Sequence, residues 1–230
     1  MVAMLFAWNV ASWVWAKLTW SKALFGLLIL NLVWTASLFI APYTVPPGSF
    51  AFQVGGANTL DHEDIWQSFW FYPRIVYTFG DVQCHQLWYR SLWLNGNQLP
   101  IDARMTSMYI FASLGLVAAA LATPSTSSVQ VMLNAMPEFL RKRLARFGPE
   151  KAGAIIVIVG LLPIAIDGFT QLFASVTHYE STNVTRILTG LPGGFVGGLL
   201  LGAMLVSMRQ FSEDIPRLRA RKHLTASQAR

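Results

Sequence analysis

Four apolar runs, each long enough to cross a bilayer as a helix, limit the folds open to this chain. They are Ala23–Ala41, Ile101–Ala122, Ala152–Ala174 and Val184–Ser207. With 54% hydrophobic and only 12% charged residues, a chain of 230 residues has too little polar surface to cover a soluble globule. We therefore predict an all-α fold, a polytopic membrane bundle of four transmembrane helices with further helices at the membrane interface.

The remaining segments divide the chain into three parts. Residues 1–22 are apolar and rich in Trp, which favours an interfacial segment, and they lack the basic start and polar cleavage stretch of a signal peptide. Residues 23–208 form the predicted four-span domain, and residues 209–230 form a basic tail. Within the domain, the aromatic stretch 66–79 predicts one or two interfacial helices, and Pro100 favours the start of the second span.

The Lys and Arg residues indicate an orientation in the cell membrane. Most of the 17 lie near the N-terminus, between the second and third runs, or in the C-terminal tail. Loops rich in Lys and Arg stay on the cytoplasmic side. We predict that both termini are cytoplasmic and that the motif region Gly80–Arg104 lies on the outer face.

This topology brings polar residues from distant parts of the chain to the outer ends of the spans. Asn31 in the first run is expected to hydrogen-bond to a neighbouring helix instead. The residues at the outer ends are Cys84, His85, Gln86, Arg90, Ser91, Asp102, Arg104, Asp167, Thr170, Gln171, His178, Glu180, Ser181, Asn183 and Arg186. Together they form a candidate site.

Asp167 is the ionisable residue placed deepest in a predicted span. It shares a helical face with Thr170 and Gln171, and that face must point into the bundle because a carboxylate facing lipid is costly. We expect Asp167 to lie within reach of one of the arginines Arg90, Arg104 or Arg186. Either a structural pair or a functional acid or base is compatible with this position, and His85 is the second candidate acid or base.

Three arginines indicate an anion-binding site. The second and fourth helices begin at the outer face, so their free amide groups point toward the same region. The candidate ligand-binding residues are Arg90, Arg104, Arg186, Gln171, Glu180 and Asn183. The alternative is that the arginines only neutralise Asp102, Asp167 and Glu180.

The lone cysteine raises the question of a metal site. Cys84 and Asp102, with His85 and one of Asp167, His178 or Glu180, could hold a zinc or iron ion, although no C-x-x-C spacing is present and adjacent residues rarely bind one ion. In the structural alternative, Cys84 lies in an apolar pocket, His85 bonds to a carbonyl or carboxylate, and Asp102 caps the second span or pairs with Arg104.

Glycines recur every four residues on the fourth run, at Gly190, Gly194, Gly198 and Gly202. This spacing lets helix backbones approach closely, either within the chain or with another subunit of a complex. The net charge of +6 comes without a nucleic-acid motif, so we expect no nucleic-acid partner.

Three motifs carry a resemblance to a known family: CHQLWYRSLWLNGNQLPIDAR from Cys84, DGFTQ from Asp167 and ESTNVTRILTG from Glu180. Together they resemble the bacterial and archaeal membrane proteins grouped as domain of unknown function 2085. The resemblance implies a shared four-span fold and a shared site, without a reaction. Where that family has a second Cys, this chain has Asp102, which excludes a disulfide there but permits a metal ligand.

The sequence thus favours an outward-facing polar site for an anionic or metal-bound ligand, in a protein that could act as an enzyme on a lipid-linked or small periplasmic substrate. The first alternative is a non-catalytic accessory subunit of a larger membrane complex, packed through its glycine face. A small transporter is the third possibility.

Overall fold

A computed structural model describes residues 2–56, 58–173 and 179–228 of the chain. Its helices are α1 (Val2–Trp20), α2 (Lys22–Ile40), α3 (Glu63–Ser68), α4 (Phe71–Gln83), α5 (Ala103–Leu121), α6 (Ser128–Ala135), α7 (Glu138–Leu144), α8 (Pro149–Leu172) and α9 (Asn183–Gln228). Short 3-10 helices cover Ala41–Tyr43, Trp88–Arg90 and Ala145–Phe147. Two strands, β1 (Ser91–Leu94) and β2 (Asn97–Asp102), complete the elements.

The four predicted spans are confirmed as long apolar helices. The candidate spans are Lys22–Tyr43 in α2, Ala103–Leu121 in α5, Pro149–Gln171 in α8 and Asn183–Pro216 in α9. The chain is thus a mostly helical protein with four helices long and apolar enough to cross a membrane. The predicted aromatic segment forms two helices, α3 and α4.

The start of the second span differs from the prediction. Pro100 does not begin the second span but lies within β2, and α5 begins at Ala103 because the Asp102 carboxylate caps it. α9 continues without a break to Gln228, so residues 209–228 of the predicted basic tail are helical. Residues with good helix propensity follow Pro216, so the helix continues past the apolar span.

The chain divides into two compact units. The first contains residues up to Leu28, then Leu114–Val159, and residues from Val196 onward. The second contains Ile29–Ser113 and Gly160–Phe195. Every candidate site residue that the structure describes belongs to the second unit.

In the first unit, small residues allow close packing of α5 on α9. A Cβ atom at Gly202 would lie 2.6 Å from the Cβ of Ala119, so only hydrogen fits there. The loop residue Ser127 caps α6 by accepting a hydrogen bond from the Gln130 amide at 3.4 Å.

In the second unit, β1 and β2 form an antiparallel hairpin that the sequence analysis did not predict. Asn95 and Gly96 form its two-residue turn with φ of 51° and 69°. An Asn-Gly pair with both residues in the left-handed region is the preferred turn of such hairpins. The hairpin places Asp102 at the first turn of α5 and Arg90 just before β1.

Aromatic rings form the core beside this hairpin. Phe50 contacts Trp66 and Tyr77, and all three are fully buried. Asp81 is also fully buried and accepts hydrogen bonds from Trp66 Nε1 at 2.8 Å and from the His62 amide at 3.1 Å. This carboxylate joins α3 to α4.

Two helix contacts in the second unit confirm the interhelical roles predicted for Asn31 and for the glycines of the fourth run. Asn31 donates to the Tyr109 carbonyl at 2.9 Å, as expected for a polar residue between helices. Cβ atoms at Gly190 and Gly194 would lie within 2.7 Å of the Arg104 carbonyl oxygen and 2.6 Å of the Met108 Cα. These glycines therefore face α5 of the same chain.

Docking of another subunit on the Gly190, Gly194, Gly198 and Gly202 face stays a prediction, which the contacts within the chain neither require nor exclude. Gly190 and Gly194 are occupied by α5 in the second unit, and Gly202 is occupied by α5 in the first. At these three positions the small-residue pattern therefore serves close packing within the chain.

Gly80→Ala should destabilise the protein by about 1–3 kcal/mol, the usual cost of overpacking. A Cβ atom at Gly80 would overlap the Pro100 carbonyl oxygen, and backbone of β2 cannot move aside as a side chain can. Gly168→Ala is the control, since a Cβ there meets no atom within 4 Å. Thermal unfolding in detergent measures both variants, and equal melting temperatures would contradict the close packing of α4 on β2.

Candidate functional site

Asn97 fixes the loop that precedes α3. Its Oδ1 accepts a hydrogen bond from the Phe50 amide at 3.0 Å. Its Nδ2 donates to the carbonyls of Pro42 and Pro46, both at 3.1 Å. The buried side chain thus satisfies backbone groups of a loop that has few partners of its own.

Two glutamines continue this pattern on the other side of the hairpin. Gln98 accepts from the Gln53 amide at 2.6 Å and donates to the Gln86 carbonyl at 2.8 Å. Gln86, whose φ is 47°, donates to the Pro100 carbonyl at 2.8 Å. The amide residues of the CHQ and NGNQLP motifs are therefore engaged in holding backbone.

Cys84 lies in the apolar pocket that the structural alternative describes. It is 2% exposed and packs against Leu38 and Ile101. Its Sγ accepts a hydrogen bond from the Asp102 amide at 3.3 Å. Burial, reinforced by the nearby Asp102 charge, raises the pKa of the Cys84 thiol to about 11.

The other proposed metal ligands have different surroundings. Asp102 Oδ1 accepts from the Met105 amide at 2.7 Å and so caps α5. His85 is exposed, and its carbonyl accepts from the Gly55 amide at 2.9 Å. Within the described ranges, no three His, Cys, Asp or Glu side chains are grouped so that they could hold a metal ion. His178 lies outside the described residues.

Asp167 forms the first of two ion-pair centres. Its carboxylate is almost fully buried and pairs with Arg104 Nη2, which confirms the expected contact with an arginine. Tyr179 donates its hydroxyl to the other carboxylate oxygen at 3.0 Å, and this bond raises the pKa of Tyr179. Arg104 Nε is buried and has no hydrogen-bond partner in the described part of the chain.

Glu180 is the second centre, where one carboxylate receives two arginines. Arg90 donates through Nε at 2.9 Å and Nη2 at 3.0 Å, as a bidentate pair. Arg186 Nη2 donates to the same carboxylate at 2.6 Å. The Arg186 side chain is 1% exposed, whereas that of Glu180 is 43% exposed. The buried Arg186 guanidinium is therefore separated from solvent by the half-exposed Glu180 carboxylate.

Gln171 and Asn183 attach the segment around Glu180 to its neighbours. Gln171 Nε2 donates to Ser181 Oγ, which ties the segment to α8. Asn183 Nδ2 donates to the Ser91 carbonyl at 3.1 Å, which ties it to the hairpin. Arg186 Nε also donates to the Ser181 carbonyl at 3.1 Å. Each predicted ligand-binding residue therefore takes part in this network.

We call Arg90, Arg104, Arg186, Asp167 and Glu180 the arginine cluster. The charges of Arg90, Arg104 and Glu180 all act on the Arg186 guanidinium, so the two ion-pair centres share one electrostatic environment. Asp102 acts on it from the start of α5. Each of the three predicted arginines thus forms an ion pair with a predicted carboxylate, Asp167 or Glu180. The third predicted carboxylate, Asp102, forms none with them in the described part of the chain.

Other residues did not match the predicted grouping. Within the described ranges, no hydrogen bond or ion pair joins the exposed His85 ring to Asp167, the other candidate acid or base. Tyr179 was missed because a tyrosine outside the predicted spans carries no charge signal. Asp81 was missed because its partner His62 lies 19 residues away.

Comparisons with known proteins agree with the resemblance of the motifs. A family model described as predicted membrane protein (DUF2085) matches residues 84–200. An uncharacterised protein of Methanocaldococcus jannaschii is 27% identical over 169 residues, or 73% of this chain and 83% of that protein. An uncharacterised protein of Methanothermobacter thermautotrophicus is 29% identical over 111 residues, or 48% of this chain and 77% of that protein. No solved structure gives a significant match.

Cys84 should react slowly with maleimide in the folded protein at pH 7–8. A pKa of about 11 leaves almost no thiolate at that pH, and 2% exposure blocks the reagent. Mass spectrometry of the intact protein should show full labelling only after unfolding in dodecyl sulfate. Rapid stoichiometric labelling of the native protein at pH 7 would contradict the buried position.

Proposed function

The chain belongs to the DUF2085 family of predicted membrane proteins, and since that description specifies no ligand or reaction, we propose from geometry that the arginine cluster binds an anion. The observation that carries this proposal is that two arginines share the half-exposed Glu180 carboxylate. Glu180 lies on the irregular segment before α9, so its position does not depend on helix geometry.

Glu180 has the contacts that a bound carboxylate or phosphate would have. Arg90 presents two parallel N–H groups, the arrangement that matches the oxygen pair of either anion. Arg186 supplies a third donor from a buried position, where an ion interacts strongly with its partner. An external anion that displaces Glu180 would gain all three donors. We infer that Glu180 acts as an internal competitor for the site.

The ion pair of Asp167 with Arg104 lies beside the proposed anion site and helps to position it. Asp167 engages Arg104 through one oxygen and Tyr179 through the other, so we assign it a positioning role in place of acid–base chemistry. Tyr179 directly precedes Glu180, and holding it limits where the Glu180 carboxylate can move. The acid or base role predicted for His85 and the metal role predicted for Cys84 and Asp102 stay predictions, since the anion site does not use them.

Glu180→Gln should unfold at a lower temperature than the wild type in chloride buffer, because Arg186 loses its carboxylate while it remains buried. Inorganic phosphate should recover much of this loss and should bind the variant at least about tenfold more tightly than the wild type, since the competing carboxylate is gone. Thermal unfolding and titration calorimetry of the purified protein measure the two effects.

Adding Arg90→Gln to Glu180→Gln should weaken phosphate binding by about 1.5–3 kcal/mol, the range for hydrogen bonds to charged groups. Arg141→Gln in the same background is the control, since Arg141 is an exposed arginine of α7. Phosphate that neither binds nor stabilises Glu180→Gln would leave the arginines as internal charge balance and end the proposal.

We also propose that both termini are cytoplasmic and that the arginine cluster lies on the outer face of the membrane. Cys84 is too buried to report its side, so the test uses Asp64→Cys and Lys142→Cys, two exposed positions on α3 and α7. A membrane-impermeant maleimide should label Asp64→Cys in intact cells and Lys142→Cys only after permeabilisation. The wild type is the control for background, and the opposite pattern would invert the orientation.

A further inference from the structure

We propose that the exposed face of α4 binds an anionic phospholipid, with Arg74 on the phosphate and the neighbouring apolar side chains along an acyl chain. This site shares no residue with the arginine cluster. Its success or failure is therefore independent of the anion site proposed above.

The ends of α4 show how the helix runs along the membrane-spanning helices of its unit. At its start, Trp70 Nε1 donates to the Thr44 carbonyl at 3.0 Å, just past the end of α2. Farther along, the Phe79 ring contacts the Trp34 ring with centroids 5.6 Å apart. Trp34 lies about 9 Å before the end of α2 at the helical rise of about 1.5 Å per residue. The helix therefore descends from the interface to the level of the apolar span.

A second contact gives the same depth from another span. Tyr109 donates its hydroxyl to Gln83 Oε1 at the last residue of α4. Tyr109 lies as far into α5 as Trp34 lies from the end of α2, about 9 Å by the same rise. Both contacts place the second half of α4 beside hydrocarbon.

The exposed face of α4 is apolar, the reverse of a helix on a soluble protein. Phe71, Ile75, Phe79 and Val82 are all exposed and recur at helical spacing along one side. The opposite side contributes Val76, Tyr77 and Asp81 to the core. One face of α4 is thus packed in the core, and the other is apolar and exposed. Because this second face lies at the depth of the spans α2 and α5, lipid acyl chains can pack against it.

Arg74 supplies the one charge in this face. It lies in a groove of about 570 Å³ lined by Phe69, Phe71, Arg74, Ile75, Thr78 and Phe79. Its guanidinium forms no ion pair with any residue that the structure describes. Thr78, four residues later, places a hydroxyl on the same side of the helix.

The order of Arg74 and the apolar side chains along α4 indicates what kind of ligand the groove can bind. Arg74 is about 6 Å from Trp70 along the helix at the usual rise, which is the interfacial end, and Phe79 is at the deeper end. A ligand that fits must therefore carry its negative charge at the interface and an apolar chain toward the membrane centre. A phospholipid has this polarity, whereas free phosphate lacks the chain and a neutral lipid lacks the charge.

The test compares lipid binding to the full-length protein and to Arg74→Gln, with Arg141→Gln as a matched loss of one exposed arginine. Native mass spectrometry with added phosphatidylglycerol should show binding about fivefold weaker for Arg74→Gln, as expected for one arginine near a lipid surface. Arg141→Gln should bind as the wild type does. Glycerophosphate should show no binding that depends on Arg74. A change of less than twofold for Arg74→Gln, or an equal loss for Arg141→Gln, would overturn the proposal.

A photo-reactive residue at Ile75 identifies the occupant directly. In native membranes it should crosslink to phosphatidylglycerol, and the adduct should decrease when Arg74→Gln is combined with it. Crosslinking to a protein would assign this face to a partner and overturn the lipid site.

Discussion

The buried Arg186 guanidinium is the constraint on which the outer part of this protein depends. Removing such an ion from water costs several kcal/mol unless its charge and donors are satisfied. Its partners Glu180 and Ser181 lie on a segment with no regular structure, so that segment must be held in place by other contacts. Tyr179, Gln171 and Asn183 provide them by bonding to α8 and to the hairpin. The burial of Arg186 thus requires that α8, the hairpin and the segment before α9 meet at one place.

The hairpin satisfies buried backbone groups of a neighbouring loop with uncharged amide side chains. The loop between α2 and α3 has many backbone donors and acceptors and little secondary structure of its own. Asn97 and Gln98 take the place of a neighbouring strand, because each amide side chain donates and accepts at once. Replacing either with an apolar residue would leave buried carbonyl and amide groups unpaired. The motif that suggests chemistry in the sequence is, for these residues, a motif of structural hydrogen bonding.

The four spans and the ion pair of Asp167 could be predicted from the sequence. The spans follow from apolar length, and the Asp167 ion pair follows from the cost of an unpaired carboxylate in a span. The sequence did not predict which arginine meets which carboxylate, because that depends on how the irregular segment at Glu180 folds back. The hairpin could have been predicted, since Asn95-Gly96 between apolar residues is a strong turn signal. The sequence left open which helix packs on the glycine face, because spacing alone does not identify the neighbour, and the structure places α5 at Gly190, Gly194 and Gly202.

The pocket around Cys84 has a further consequence for where this protein can operate. Oxidation of a thiol to a sulfenic acid or a mixed disulfide requires both a thiolate and an access path, and Leu38, Ile101 and the high pKa remove both. The side chain should therefore remain reduced even in contact with an oxidising compartment. The link that it forms between the end of α4 and the Asp102 amide then holds under either redox condition, without a protective reductant.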